Sequence, residues 1–401
     1  MKVHSVAGYL RPFQQRLVKS PSIGIPCRVE GSSRLFGSSC SGGGAGIGNV
    51  QDRLLPSTVS QSRTTAFIKD PKTVSVIGAP MTFGQPYTGT DDTPSLLRKA
   101  GLRSMLTRLG WRVKDNPDLD HSYENLFSVH TNNATNFRIN PQEHQQQQQQ
   151  NAKNSILVGA GAHLICEAVK EACQQGQFPL ILGGDHSISL GSLSGILQMR
   201  PNTGILWIDA HADLHTPATS ETGNMHGMPL GMLMDGISYD PSTLPGFEWW
   251  WEDDPQNKKK LLHPKDLVYV GLRDVDAAER KAIKQLGIKA FTMYDIDHYG
   301  IGRVMDMALD HLLSSGPRPI HLSWDIDSVD PLHAPATGTA VRGGLTYREA
   351  HYVCESVAAS GALTSADIVE LNPTLSDEHG GDLTVDLGIQ LITSLMGKSI
   401  I

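Results

Sequence analysis

Cysteine is scarce. The 401 residues contain five, Cys27, Cys40, Cys166, Cys173 and Cys354, an odd number with no Cys-x-x-Cys pair. This excludes a disulfide framework and a thiolate metal knuckle, and reads as ordinary thiols in a reducing compartment. Long apolar runs are missing as well: none reaches the roughly 18 residues that span a bilayer, so no membrane association is expected. Basic residues are in deficit, with Lys and Arg numbering 34 against 41 Asp and Glu, for a net charge of −7 with His counted neutral. Without a basic patch, nucleic acid is not an expected partner. The 39% hydrophobic and 19% charged residues suit one large soluble α/β domain with appendages.

Acid is absent from the start of the chain. The first 29 residues hold no Asp or Glu but carry Lys2, Arg11, Arg16, Lys19 and Arg28, and only Glu30 and Asp52 are acidic up to residue 66. The composition is that of a mitochondrial transit peptide, and the Gly42-Gly43-Gly44 tract leaves little to pack. Residues 1–65 are therefore expected to be a targeting or disordered segment of a mitochondrial protein. The alternative is a cytoplasmic protein with an untargeted tail.

What is present is an alternation of strands and helices from about residue 72 to the end. Extended runs are expected at Thr73–Pro80, Gly110–Val113, Phe178–Leu182, Thr203–Ile208, Leu267–Gly271, Phe291–Met293, Pro319–Trp324 and Ser365–Leu371. Helical periodicity covers Thr93–Ala100, Ala162–Gln174, Ser187–Leu197, Ala278–Gln285, Arg303–Leu313, Tyr347–Ala359 and Thr384–Met396. Residues 214–229 read as a polar loop, and 238–260, with Trp249-Trp250-Trp251, as irregular. Between about 117 and 151 the chain turns polar and includes the run Gln145–Gln150, which reads as a surface insertion. The expected fold is a single α/β domain. Its sheet is mainly parallel and doubly wound, flanked by helices in three layers.

Three of these runs end in metal-type residues. Thr203–Ile208 leads into Asp209-Ala210-His211-Ala212-Asp213, Pro319–Trp324 into Asp325-Ile326-Asp327, and Phe178–Leu182 into Gly183-Gly184-Asp185-His186. Alternate residues of an extended chain share a side, so Asp209, His211 and Asp213 are expected to face one way. Carboxylates and imidazoles at the ends of apolar strands are costly to bury unpaired, and in open α/β sheets ligands gather at the carboxyl ends of the strands. His186, Asp209, His211, Asp213, Asp325 and Asp327 are thus candidate ligands. Two imidazoles and four carboxylates suit two divalent ions about 3.5–4 Å apart, and the oxygen majority without thiolate favours Mn²⁺.

These motifs, Gly183–Ser187, Asp209–Asp213 and Ser323–Pro331, resemble the ureohydrolase superfamily over residues 72 to 396. Three further stretches, Ser220–Pro229, Gly271–Asp276 and Pro335–Thr339, are similar to those of arginases. The resemblance implies that residues 72–401 are a catalytic domain using two Mn²⁺ ions per subunit. A metal-bridged hydroxide would hydrolyse the guanidinium group of L-arginine, giving L-ornithine and urea. It implies that Asp209 and Asp325 bridge the ions, that His186 and Asp213 complete one site, and that His211 and Asp327 complete the other. Asp213 would hold the hydroxide and pass a proton to the leaving amine, and His226 would shuttle protons to solvent. Glu370 would pair with the guanidinium, supported by Thr339. Thr222 and Asn224 would receive the α-carboxylate, and Asp276 the α-ammonium, with Asp274 and Glu279 beside it. His215 stands where arginases usually place Asn. The resemblance also implies a homotrimer. Rival readings are another ureohydrolase, acting on agmatine or a guanidino acid, and a silent member of the same fold.

Overall fold

The computed structural model describes residues 72–122, 125, 126, 128, 151–251 and 261–400. The expected leader 1–65, the Gln145–Gln150 run and most of the polar insertion lie outside the described residues.

Eight strands form one sheet: β1 (Thr73–Ala79), β2 (Arg112–Asp115), β3 (Phe178–Gly183), β4 (Gly204–Ile208), β5 (Leu267–Leu272), β6 (Lys289–Thr292), β7 (Ile320–Asp325) and β8 (Leu363–Val369). Their order is β2-β1-β3-β8-β7-β4-β5-β6, and every pairing between them is parallel. In β1, β3, β4, β5, β7 and β8 every residue is buried. That is why they read as unbroken apolar runs: a parallel sheet covered on both faces has no polar side to alternate with.

The helices are α1 (Thr93–Lys99), α2 (Leu102–Arg108), α3 (Ser155–Gln174), α4 (Ser189–Met199), α5 (Pro229–Leu233), α6 (Glu248–Trp251), α7 (Ala277–Leu286), α8 (Met293–Tyr299), α9 (Ile301–Leu312), α10 (Tyr347–Ser360) and α11 (Glu378–Leu395). On one face Val76, Leu180, Leu206, Val268, Leu322 and Ile368 pack in one cluster with residues of α1, α2, α9, α10 and α11. On the other face Ile205, Trp207 and Tyr269 pack with α4, α5 and α7, and Ile77 and Ile181 with α3 and α4. The two strand faces take alternate residues, as the period of a strand requires.

Several element limits differ from the sequence expectation. Helix α3 begins at Ser155, not Ala162. Its first turns carry Gly159 and Gly161, poor helix formers. Here they are needed for close packing: a Cβ on Gly159 would lie 2.3 Å from the carbonyl oxygen of Gly246. Helix α11 begins at Glu378, capped by the Asp377 side chain, with Gly380-Gly381 masking its first turn. Helix α6 lies in the stretch read as irregular, α5 starts at the last residue of the expected polar loop and went unread, and so did α8, although Thr292 and Asp295 form a capping box at its start. Strand β4 ends at Ile208 and β8 at Val369. The residues that matter most, Asp209–Asp213 and Glu370, therefore sit in the turns beyond.

Candidate metal centre and substrate cleft

The four central strands, β3, β8, β7 and β4, deliver their carboxyl ends to one place. The chain leaving β3 carries His186 at the start of a short 3-10 turn, held by Asp185, whose carboxylate accepts the Ser187 backbone N–H. Beyond β4 the backbone is not extended. Asp213 has φ 49°, so the three polar residues do not simply share a side; they curl around the site. Beyond β7, the Asp325 carboxylate accepts the Asp327 N–H at 2.8 Å and turns the chain. Beyond β8, Glu370 has φ 65° and donates its N–H to Gly184 O at 2.9 Å. A left-handed backbone at a non-glycine residue costs of order 1–3 kcal/mol. Among the described residues only Lys72, Asn154, Asp213 and Glu370 adopt it, and two of those four lie here.

His186 Nδ1 faces Asp213 Oδ2 at 3.0 Å, Asp209 Oδ2 at 3.1 Å and Asp325 Oδ2 at 3.2 Å. His211 Nδ1 faces Asp327 Oδ2 at 3.0 Å and Asp209 Oδ1 at 3.5 Å. Asp209 thus turns one oxygen toward each histidine, and the two groups His186–Asp209–Asp325 and Asp209–His211–Asp327 overlap in it. Trp207 organises this pair from below: its ring stacks on His186 with centroids 4.1 Å apart, and its Nε1 donates to Asp209 Oδ2 at 2.9 Å.

The donor set fits divalent cations. His186 Nδ1 is buried without a hydrogen-bonding partner of good geometry, although three carboxylate oxygens surround it. Without a cation, protons would have to balance the charge. Burial opposes the imidazolium of His186, yet its three carboxylate neighbours hold its pKa well above the usual value. Burial likewise opposes a charged His211, and Asp327 and Asp209 push it up to about 12. Burial and the neighbouring acids raise Asp325 and Asp213. Four carboxylates this close demand positive charge, and the cleft around them is lined by no lysine or arginine among the described residues.

That cleft, about 220 Å³, is lined by three of the ligand-type residues, His211, Asp213 and Asp325, together with His215, Thr222, Asn224, His226, Asp274, Asp276 and Thr339. His226 Nδ1 lies 3.1 Å from Glu370 Oε1. Burial works against its imidazolium, but the hydrogen bond to Glu370 and the charges of Glu370 and Asp213 push its pKa up to about 9. This is above the usual histidine value. Glu370 is buried; its Oε1 also accepts the His186 N–H at 2.8 Å, and its Oε2 accepts Gln85 Nε2 at 2.9 Å.

One expectation needs correction. Thr339 is committed elsewhere than Glu370: its hydroxyl donates to Asp327 Oδ2 at 2.8 Å, on the turn that follows β7. The support of Glu370 comes instead from Gln85, which the sequence reading left inside an unassigned loop. Nothing local marks it, since its partner lies 285 residues away. At the outer end, Asp276 is already engaged. It caps α7 in a capping box with Glu279, and His215 Nε2 sits 2.8 Å from its Oδ2. Thr222 Oγ1 accepts the Asn224 N–H at 3.2 Å, which shapes the loop on the other wall.

Comparison with known proteins agrees with this geometry. The profile of the Arginase family matches residues 72–397. Arginase of Glaciozyma antarctica is 39% identical over 352 residues, 87% of this chain and 93% of that protein. Arginase-1 of Homo sapiens is 40% identical over 304 residues, 76% of this chain and 86% of that protein. The crystal structure of arginase from Bacillus subtilis superposes with a TM-score of 0.66 at 36% identity, covering 82% of this chain and all (100%) of that one. A family match over most of the chain, with relatives near 40% identity, leaves one conclusion: the chain belongs to the arginase family.

Proposed function

We propose that this chain hydrolyses the guanidinium group of L-arginine to L-ornithine and urea. The observation that carries this is the pair of His–Asp groups sharing Asp209, beside a cleft lined by no lysine or arginine among the described residues and next to the buried carboxylate of Glu370, which accepts the His186 N–H. His186, Asp209, Asp213 and Asp325 would hold one divalent cation, and Asp209, Asp325, His211 and Asp327 the other, with Asp209 and Asp325 as bridges. When bound, such a pair supplies Lewis acidity that makes water a nucleophile near neutral pH.

The protein's own groups do the rest. Glu370 receives the planar guanidinium, whose fork a carboxylate matches in a bidentate way. Asp213 takes a proton from the attacking water. As the new C–O bond forms and the bond from the guanidinium carbon to the chain nitrogen breaks, Asp213 delivers that proton to the departing amine. His226 exchanges protons between Glu370's side of the site and solvent. Thr222 and Asn224 receive the α-carboxylate, and Asp276, with Asp274 and Glu279, the α-ammonium. His215, tethered to Asp276, takes part in that outer pocket. The pairing of His215 with Asp276 is also what favours the second reading, a ureohydrolase for another guanidino compound, because it occupies a group the α-ammonium needs. Loading the full chain with metal and assaying urea from arginine, agmatine and guanidinobutyrate decides between them. Arginine is expected to lead by a wide kcat/KM margin, since a truncated substrate leaves buried polar groups unpaired; comparable ratios would reject arginine as the substrate.

The oxygen-rich donor set supports manganese over zinc. The acid-free, arginine-containing stretch 1–65 supports mitochondrial import; imaging a chain lacking it tests this, and unchanged import would reject it. The family resemblance supports a homotrimer, which sedimentation of the metal-loaded chain would show.

A further inference from the structure

Beneath the metal centre lies a layer of polar side chains with no access to solvent. Ser192, His321, Ser323, Ser365 and Asp367 are each 0 or 1% exposed. On β7 and β8 the pairs His321–Ser365 and Ser323–Asp367 stand opposite one another, at alternate positions and so on one face of the sheet. An ionised carboxylate in such a place is costly unless donors surround it. They do. Asp367 Oδ1 accepts the Ser323 hydroxyl at 2.5 Å. Its Oδ2 accepts the Ser192 hydroxyl at 2.7 Å and lies 3.2 Å from His321 Nε2, whose Nδ1 is 2.9 Å from Ser365 Oγ.

The other neighbour of Ser323 is His186, whose Nε2 lies 2.9 Å from Ser323 Oγ. A serine hydroxyl has one hydrogen and an ionised carboxylate has none. The hydrogen of Ser323 is therefore committed to Asp367, and its oxygen can only accept from His186. That places the His186 proton on Nε2 and leaves a lone pair on Nδ1, the nitrogen ringed by Asp209, Asp213 and Asp325. The opposite tautomer would set the Nε2 lone pair against those of Ser323. We propose that Ser323 and Asp367 are positioning residues that hold His186 in its Nε2–H tautomer, so that Nδ1 is presented to the metal. A ligand histidine's other nitrogen is commonly fixed in this manner. Here the carboxylate acts at one remove, through a serine, and His321 and Ser192 hold that carboxylate in turn. The inference rests on the metal reading of the centre.

The test is a titration of the chelator-treated full chain with Mn²⁺, following free Mn²⁺ by electron paramagnetic resonance. It is run on the wild type, S323A and D367N, with H186N to show which binding step belongs to His186. Apo-protein thermal unfolding is recorded alongside. The wild type is expected to bind two ions. S323A and D367N should weaken the His186 step about 10- to 100-fold and leave the other step near its wild-type affinity; S323A takes one donor from a buried carboxylate and should lower the apo unfolding temperature while still unfolding cooperatively. If D367N does not fold, S323A alone decides. Wild-type affinity at both steps in S323A, or equal weakening of both, overturns the proposal while leaving the metal centre standing. A wild type that binds no Mn²⁺ overturns the metal reading and this inference with it.

Discussion

Gln85 and Glu370 meet across 285 residues of sequence, the amide Nε2 of one donating to Oε2 of the other at 2.9 Å. Glu370 Oε1 takes the His186 N–H and faces His226, so among the described residues it is Gln85 that fixes the second oxygen. Gln85 Oε1 is buried with no hydrogen-bonding partner among the described residues. Q85A removes a hydrogen bond to a charged group, worth about 1.5–3 kcal/mol. The kcat/KM for arginine should fall roughly 10- to 100-fold with metal content unchanged. Steady-state kinetics alongside metal analysis checks this, and wild-type kinetics in Q85A would contradict it.

His226 lies at the cleft wall with its ring against Glu370. If it carries protons to solvent, H226N should lower kcat by about 10²-fold or more with little change in KM and a full metal complement. An unchanged kcat would reject the shuttle.

Gly271, one residue before the end of β5, has φ 102° and lies at the bulge between Val270 and Leu272. A Cβ there would lie 3.1 Å from the carbonyl oxygen of Asp209. G271A therefore combines a disfavoured backbone with pressure on the residue shared by both metal groups. It should destabilise the fold by about 1–3 kcal/mol and weaken metal binding. Urea denaturation of the apo chain and a metal titration would measure the two effects separately.

His121 is buried, and neither ring nitrogen has a hydrogen-bonding partner of good geometry among the described residues. Burial pushes its pKa down to about 4, with the charge of Asp120 and the Gly161 backbone only partly opposing. The folded pKa is below the unfolded one. The stability tied to neutral His121 is therefore fully present above the unfolded value of about 6.5 and is lost as pH falls toward 4. The loss should approach about 3 kcal/mol. In H121L the apo chain should lose that much less between pH 7 and pH 4; parallel slopes for the two proteins would refute the assignment.

The parts of this molecule legible in its sequence are those set by local pattern. β1, β3, β4, β5, β7 and β8 announce themselves because both faces of the sheet are covered, and His186, Asp209 and Asp325 because acid or imidazole follows directly on an apolar run. The rest depends on contacts between distant segments. Neither the grip of Gln85 on Glu370 nor the tie of His215 to Asp276 leaves a local trace. Thr339 was assigned to the wrong carboxylate for the same reason: sequence gives the loop but not which carboxylate it meets. Helix α3 was shortened because Gly159 and Gly161 lower helix propensity where tertiary packing requires them.

The central claim is that the overlapping His–Asp groups hold two cations on which hydrolysis depends. Elemental analysis of active, chelator-free protein tests it most directly. The account predicts about two divalent ions per chain, with urea release abolished on their removal and restored by adding Mn²⁺. Full activity in preparations holding only trace metal would contradict it.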